Sequence, residues 1–144
     1  MPITTFRDEH SWLSNMADCE IKYGDLVFKS TEAFYQAMKT KDKDIRALFT
    51  KYDGQTSKRE GRKLSLRSDW EIVKDDVMKF ALSKKFSKEP FKSLLLSTGD
   101  VDIIEGNYWH DNYFGICSCA KCGNKGLNKL GKMIMEIRNN LKSS

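Results

Sequence analysis

Apolar residues recur every three or four positions over most of the chain and alternate with polar ones in one short stretch, which predicts helices with little sheet. The alternating stretch is CEIKYGDLVFK, residues 19 to 29, where Ile21, Tyr23 and Val27 flank Gly24-Asp25 and predict a β-hairpin. STEAFYQAMK, residues 30 to 39, holds neither Gly nor Pro, and Ser30 or Thr31 stands where a side chain can cap the first turn. DIRALFTKY, residues 44 to 52, sets Ile45, Leu48, Phe49 and Tyr52 on one helical face. SDWE, residues 68 to 71, has the spacing of a capping box, Ser68 with Glu71, ahead of a helix whose expected buried stripe is Trp70, Val73, Val77 and Phe80 or Ala81. Pro90, Phe91, Leu94, Leu95 and Gly99 mark the start, apolar face and stop of a shorter helix. Leu127, Leu130, Ile134, Ile137 and Leu141 form a narrow seam that predicts the last helix.

With about six helices, one hairpin and no alternation of strand with helix, the expected fold is mainly α, a compact helical bundle. A chain of 144 residues is the size of one domain, so residues 1 to 144 are read as a single unit. There is no GxxxxGK[ST] or GxGxxG loop, which excludes the common nucleotide-binding folds. The amino terminus lacks a secretory pattern and no apolar run is long enough to span a membrane, so the expected location is cytoplasmic, with no membrane partner. Lys and Arg exceed Asp and Glu by 25 to 20, and the excess is concentrated in TSKREGRKLSLR, residues 56 to 67, and in the last helix. Such segments are solvated helix faces or sites for a polyanion.

Three places can carry chemistry. On STEAFYQAMK drawn as a wheel, Glu32, Gln36 and Lys39 fall within a wedge of about 60° while apolar side chains cover most of the rest, so a carboxylate, an amide and an amine share one stripe. That stripe faces water or, if both flanks are covered, a cleft. Asp111, set among Trp109, His110, Tyr113 and Phe114, is suited to hold the edge of a planar ligand or to make an Asx-turn. Cys117, Cys119 and Cys122 form CxCxxC. They are half of a tetrahedral zinc site that would recruit His110, Asp111 or Cys19, or they are reduced, partly buried thiols.

LSN at 13 to 15, TEAFYQAMK at 31 to 39, DW at 69 and 70, KF at 85 and 86, LLLSTGD at 94 to 100, and IIEGNYWHDNYFG followed by GLNKLGKMIMEIR resemble, in order and spacing, the NADAR (NAD and ADP-ribose) superfamily of YbiA-like N-glycosidases. The resemblance runs over nearly the whole chain. It implies a mainly α domain that hydrolyses the N-glycosidic bond between a ribose and a base, with no cofactor required and structural zinc left open. Substrates of the family include phosphorylated ribosylaminopyrimidine intermediates of riboflavin synthesis and ADP-ribose attached to guanine in nucleic acid. The family's acid matches Glu32, its lysine Lys39, its second acid Asp111, its aromatic Trp70, and the asparagine of its LSN Asn15. Family members commonly have Trp-Gly where this chain has Phe114-Gly115.

These positions suit the chemistry. Breaking a C1′–N bond builds positive charge on the ribose, which carboxylates such as Glu32 and Asp111 stabilise while they activate water. Trp70 is expected to stack the base, Lys39 to act as nucleophile or electrostatic partner, and Arg62 in the basic segment to receive phosphate or pyrophosphate. The competing class is a module that binds ADP-ribose, NAD or nucleic acid through its basic face and turns nothing over.

Overall fold

The alternation around Gly24-Asp25 does fold back on itself. In the computed structural model, which describes residues 1–144, β1 (Ile21–Tyr23) pairs antiparallel with β2 (Leu26–Phe28), with Ile21 opposite Phe28 and Tyr23 opposite Leu26. Six α-helices follow from α1 (Thr31–Ala37) to α6 (Lys129–Lys142), so the fold is mainly α. No helix is long and apolar enough to cross a membrane. The chain divides into two compact units, residues 15–88 and residues 1–14 with 89–144.

In the unit of residues 15–88, Ser30 is the cap of α1, its hydroxyl accepting from the Ala33 N–H at 3.1 Å. Every residue of α1 is buried, because the hairpin, α3 (Gly54–Gly61) and α4 (Trp70–Phe86) surround it. Tyr23, Phe28, Phe34 and Phe80 form one aromatic cluster with ring centroids 5.3–5.8 Å apart. α2 (Lys43–Leu48) is capped by Asp42 and runs on as a 3-10 turn, Phe49–Lys51. The expected helix over residues 44 to 52 is thus real but loses its α geometry after Leu48.

α3 is an element that the apolar pattern does not reveal. Its buried face is Gly54, Ser57 and Gly61, a stripe of small residues at spacings of three and four. A Cβ on Gly61 would overlap Gln36 Oε1 and stand 2.7 Å from its Cδ, so α1 and α3 approach more closely than any larger residue permits. The capping box at Ser68 does not form. The cap position of α4 is Asp69 without a side-chain cap bond, since its carboxylate is held by Arg67 Nε at 2.6 Å and Nη2 at 3.1 Å. The stripe of α4 is also rotated from the expected one. Trp70, Met78, Ala81, Leu82, Lys85 and Phe86 are buried, while Val73 and Val77 are half-buried and Phe80 is partly exposed.

In the other unit, a bridge between Ile3 and Ile103 ties the amino terminus to the strand-like segment before β3 (Gly106–Asn107), which pairs in parallel with β4 (Ile116–Cys117). α5 (Phe91–Ser97) begins after Pro90 and ends before Gly99, as the punctuation of the sequence predicts. It packs on α6, which buries Leu130, Met133 and Ile134 and leaves Leu127 outside the helix and half exposed. Arg138, grouped by sequence with the basic flank, is instead 4% exposed, and its Nη1 donates to Thr98 Oγ1 at 2.9 Å.

Candidate functional site

The polar stripe of α1 is not in water. Glu32 is 9% and Gln36 6% exposed, and Gln36 Nε2 donates to Glu32 Oε2 at 2.6 Å, one helical turn away. Gln36 Oε1 is buried without a hydrogen-bond partner, against Gly61. Lys39 follows in the turn that closes α1 and is half-buried. Burial pushes its ammonium below the ordinary lysine value, Glu32 pulls it partly back up, and the positive charge of Arg62 adds to the drop. A buried carboxylate with one oxygen oriented by an amide, in electrostatic reach of an amine whose charged form burial disfavours, is a pair that can stabilise positive charge and supply a nucleophile.

The supports of this stripe come from both of its ends. Asn15 holds the start of α1: its carbonyl accepts the Glu32 N–H at 3.0 Å, and its Oδ1 accepts from Thr31 Oγ1 at 2.9 Å. Its amide donates to Met78 Sδ at 3.6 Å. At the other end the Arg67 N–H donates to the Lys39 carbonyl at 2.7 Å and Arg67 Nη1 to the Met38 carbonyl at 3.4 Å, so Arg67, paired with Asp69, clamps the two carbonyls that follow α1. Sequence reasoning counted Arg67 with the basic segment and missed this positioning role; the Arg-x-Asp spacing of two was the available signal. Arg62 follows α3 directly and is exposed. Trp70 is 5% exposed, with the Tyr35 ring on its edge at 5.0 Å.

Asp111 belongs to the other unit and makes the Asx-turn considered from sequence. Its Oδ1 accepts from the Tyr113 and Phe114 N–H groups at 3.2 and 3.0 Å, and its Oδ2 takes no part in those bonds. The buried Asn107 organises this turn, accepting from the N–H groups of Trp109 and Asp111 and donating to the Asp111 carbonyl and to Glu105 Oε2. Asn107 was not singled out from sequence, where nothing distinguishes it from the other turn residues of IIEGNYWHDNYFG. Close by, His110, Cys117, Cys119 and Cys122 converge so that their candidate ligand atoms all lie within 4.8 Å of one another, a group able to hold a metal ion. Of the three fourth ligands considered, the one gathered is His110.

A mainly helical chain with a buried acid and amide on one helix and an amine at its end fits one class. Residues 4–142 match the NADAR domain, and the chain belongs to that family. It is 32% identical over 142 residues to N-glycosidase YbiA of Escherichia coli K12, covering 93% of this chain and 83% of that protein. The NMR structure of the E. coli protein YbiA superposes on it with a TM-score of 0.82 at 30% identity, covering 99% of this chain and 84% of that one. A riboflavin biosynthesis protein of Vibrio vulnificus is 28% identical over 93% of this chain and 36% of its own length.

Proposed function

We propose that the chain is an N-glycosidase, a hydrolase acting on N-glycosyl bonds, that separates a ribose from a nitrogenous base with Glu32 and Lys39 as its catalytic residues. The observation that carries this reading is the buried Glu32 carboxylate, oriented by Gln36, within electrostatic reach of the Lys39 amine that burial lowers. Lengthening of the C1′–N bond spreads positive charge over C1′ and the ring oxygen, and a carboxylate already stripped of most of its water interacts with that charge more strongly than a hydrated one does. Glu32 then accepts a proton from the attacking water or, in a covalent route, from the Lys39 amine as it adds to C1′ of the opened sugar; the base departs with the C1′–N electron pair and takes up a proton in exchange, and in the covalent route water then hydrolyses the Schiff base to free the lysine. Burial disfavours the ammonium form of Lys39 and so favours the free amine that a nucleophilic role requires.

The name of the Vibrio relative and the riboflavin intermediates implied by the family resemblance favour a phosphorylated ribosylaminopyrimidine as substrate. ADP-ribosyl-guanine in nucleic acid, whose removal would be de-ADP-ribosylation, is the second substrate class that the resemblance implies. The exposed charge of Arg62 suits a phosphate or pyrophosphate in either case. Asp111 is assigned the second acid's role by the family match, and its Oδ2 is the oxygen outside the Asx-turn. The same reading places the chain in the cytoplasm, where its four free cysteines stay reduced.

Incubation with ADP-ribosylated guanine DNA and, in parallel, with the ribosylaminopyrimidine phosphates, followed by mass spectrometry of released base, tests the proposal. Release from at least one substrate is expected. Binding of both without release would favour the non-catalytic module. A covalent route further predicts that borohydride adds sugar mass to the wild type and none to Lys39→Ala.

A further inference from the structure

We propose that His110, Cys117, Cys119 and Cys122 hold one zinc ion, which fixes the fold of the segment between β3 and α6. The metal is bound by three thiolates and the Nδ1 atom of His110. Both Cys119 Sγ and Cys122 Sγ lie 3.4 Å from that nitrogen, and no pair of ligand atoms is further apart than 4.8 Å. Tetrahedral zinc at its usual bond lengths sets sulfur and nitrogen about 3.6 Å apart and two sulfurs about 3.8 Å apart. The cluster is therefore close to ligand geometry, and closure of the widest pair by about 1 Å completes it.

Packing does not explain why these side chains meet. Cys117 alone is fully buried; Cys119 and Cys122 are half-buried, His110 is exposed, and none of residues 118–127 is buried. All three cysteines are free thiols. Yet the backbone is shaped around them. His110 has a φ of +71° and Gly123, which follows the CxxC of Cys119 and Cys122, a φ of +65° with its N–H bonded to the Cys119 carbonyl at 2.9 Å. The Cys122 N–H donates to Cys119 Sγ and the His110 N–H to Cys117 Sγ, both at 3.3 Å, which is how backbone donors stabilise metal-bound thiolates. Inside the bridge from Cys117 to Lys125, the stretch of residues 119–124 has no strand or helix, and its backbone bond is the local one from Gly123 to Cys119.

The donor set selects the metal. Three soft sulfurs and an imidazole favour zinc over magnesium or calcium, and four protein ligands close the shell, leaving no position for a reacting water. The site is structural. Binding displaces up to three thiol protons and needs His110 neutral, with its other ring nitrogen carrying the proton. Because His110 directly precedes Asp111, the ion also anchors one end of the turn that Asn107 organises, but the site stands whether or not Asp111 acts in catalysis.

The test is elemental analysis of protein made in zinc-supplemented medium and purified without chelator, together with replacement of the metal by cobalt(II). We expect one zinc per chain, a tetrahedral thiolate cobalt spectrum displaced by added zinc, retention of zinc in Cys19→Ser, and at least tenfold loss of bound zinc in Cys119→Ser/Cys122→Ser. The cobalt spectrum is read on the wild type, so it decides the matter even if the double variant folds poorly. A wild-type chain without zinc whose cobalt spectrum lacks thiolate character overturns the proposal, as does full zinc retention by the double variant.

Discussion

Replacing Gly61 with Ala tests how tightly α1 and α3 are held and, through them, Glu32. In an exposed helix the change would stabilise the protein by about 1 kcal/mol, since Ala is the better helix former. Here the new Cβ overlaps Gln36 Oε1 and lies 2.7 Å from Gln36 Cδ and 3.0 Å from its Cβ. Gln36 is 6% exposed, so the helices are forced apart and the amide is pushed away from Glu32. Overpacking costs about 1–3 kcal/mol. Losing the 2.6 Å bond to a buried carboxylate costs about 1–3 kcal/mol more. Against the helix-propensity gain, the net is a loss of about 1–5 kcal/mol, which in a chain of this size lowers Tm by about 3–15 °C. Urea unfolding followed by circular dichroism measures the first number and a thermal scan the second. Base release by the folded variant should fall as well. A Gly61→Ala protein as stable as the wild type, or more so, would refute the close α1–α3 contact.

Two predictions concern lysines. Lys85 is fully buried, and desolvation pushes its ammonium down to about 7, with Cys19 opposing the shift. A base lowered in the folded state is protonated more readily when unfolded, so its burial costs most at low pH and the cost shrinks as pH rises toward the unfolded lysine value. The stability of Lys85→Met relative to wild type should therefore decrease by roughly 2 kcal/mol between about pH 6 and about pH 8.5 in urea titrations, and a difference that does not change with pH would contradict the assignment. Lys39 is lowered less completely, by burial first and Arg62 last. The kcat profile of base release should show a rising limb with its midpoint below the ordinary lysine value, and Arg62→Ala should move that midpoint upward because it removes a repelling charge. A midpoint that stays put in Arg62→Ala would remove Arg62 from the electrostatics of the amine.

The elements that sequence revealed are those whose signals are local. The hairpin turn at Gly24-Asp25, the Ser30 cap and the Pro90 to Gly99 helix each depend on residues within a few positions of one another. α3 escaped because its buried face is made of Gly54, Ser57 and Gly61, which carry no hydrophobic signal; what they provide is room for Gln36. The capping box failed for a tertiary reason, since Asp69 is drawn into the fork with Arg67 that closes α1. For the site, the wheel of α1 placed Glu32, Gln36 and Lys39 together but left the stripe facing either water or a cleft. The 9% exposure of Glu32 and the lowered Lys39 depend on the closeness of α3, which no periodicity encodes. CxCxxC likewise left open ligands or reduced thiols, and only the fold tells His110 apart from Asp111 and Cys19 as the group gathered with the three cysteines.

The most direct test of the central claim is release of free base by wild type and by Glu32→Gln, each confirmed as folded, on the same ribosylated substrate under single-turnover conditions. Glutamine keeps the size and the hydrogen-bonding reach of the side chain but not its charge. Removing the charge that stabilises the transition state should slow base release by at least about 100-fold while substrate binding changes little. Equal rates for the two proteins would contradict a catalytic role for the buried carboxylate of α1.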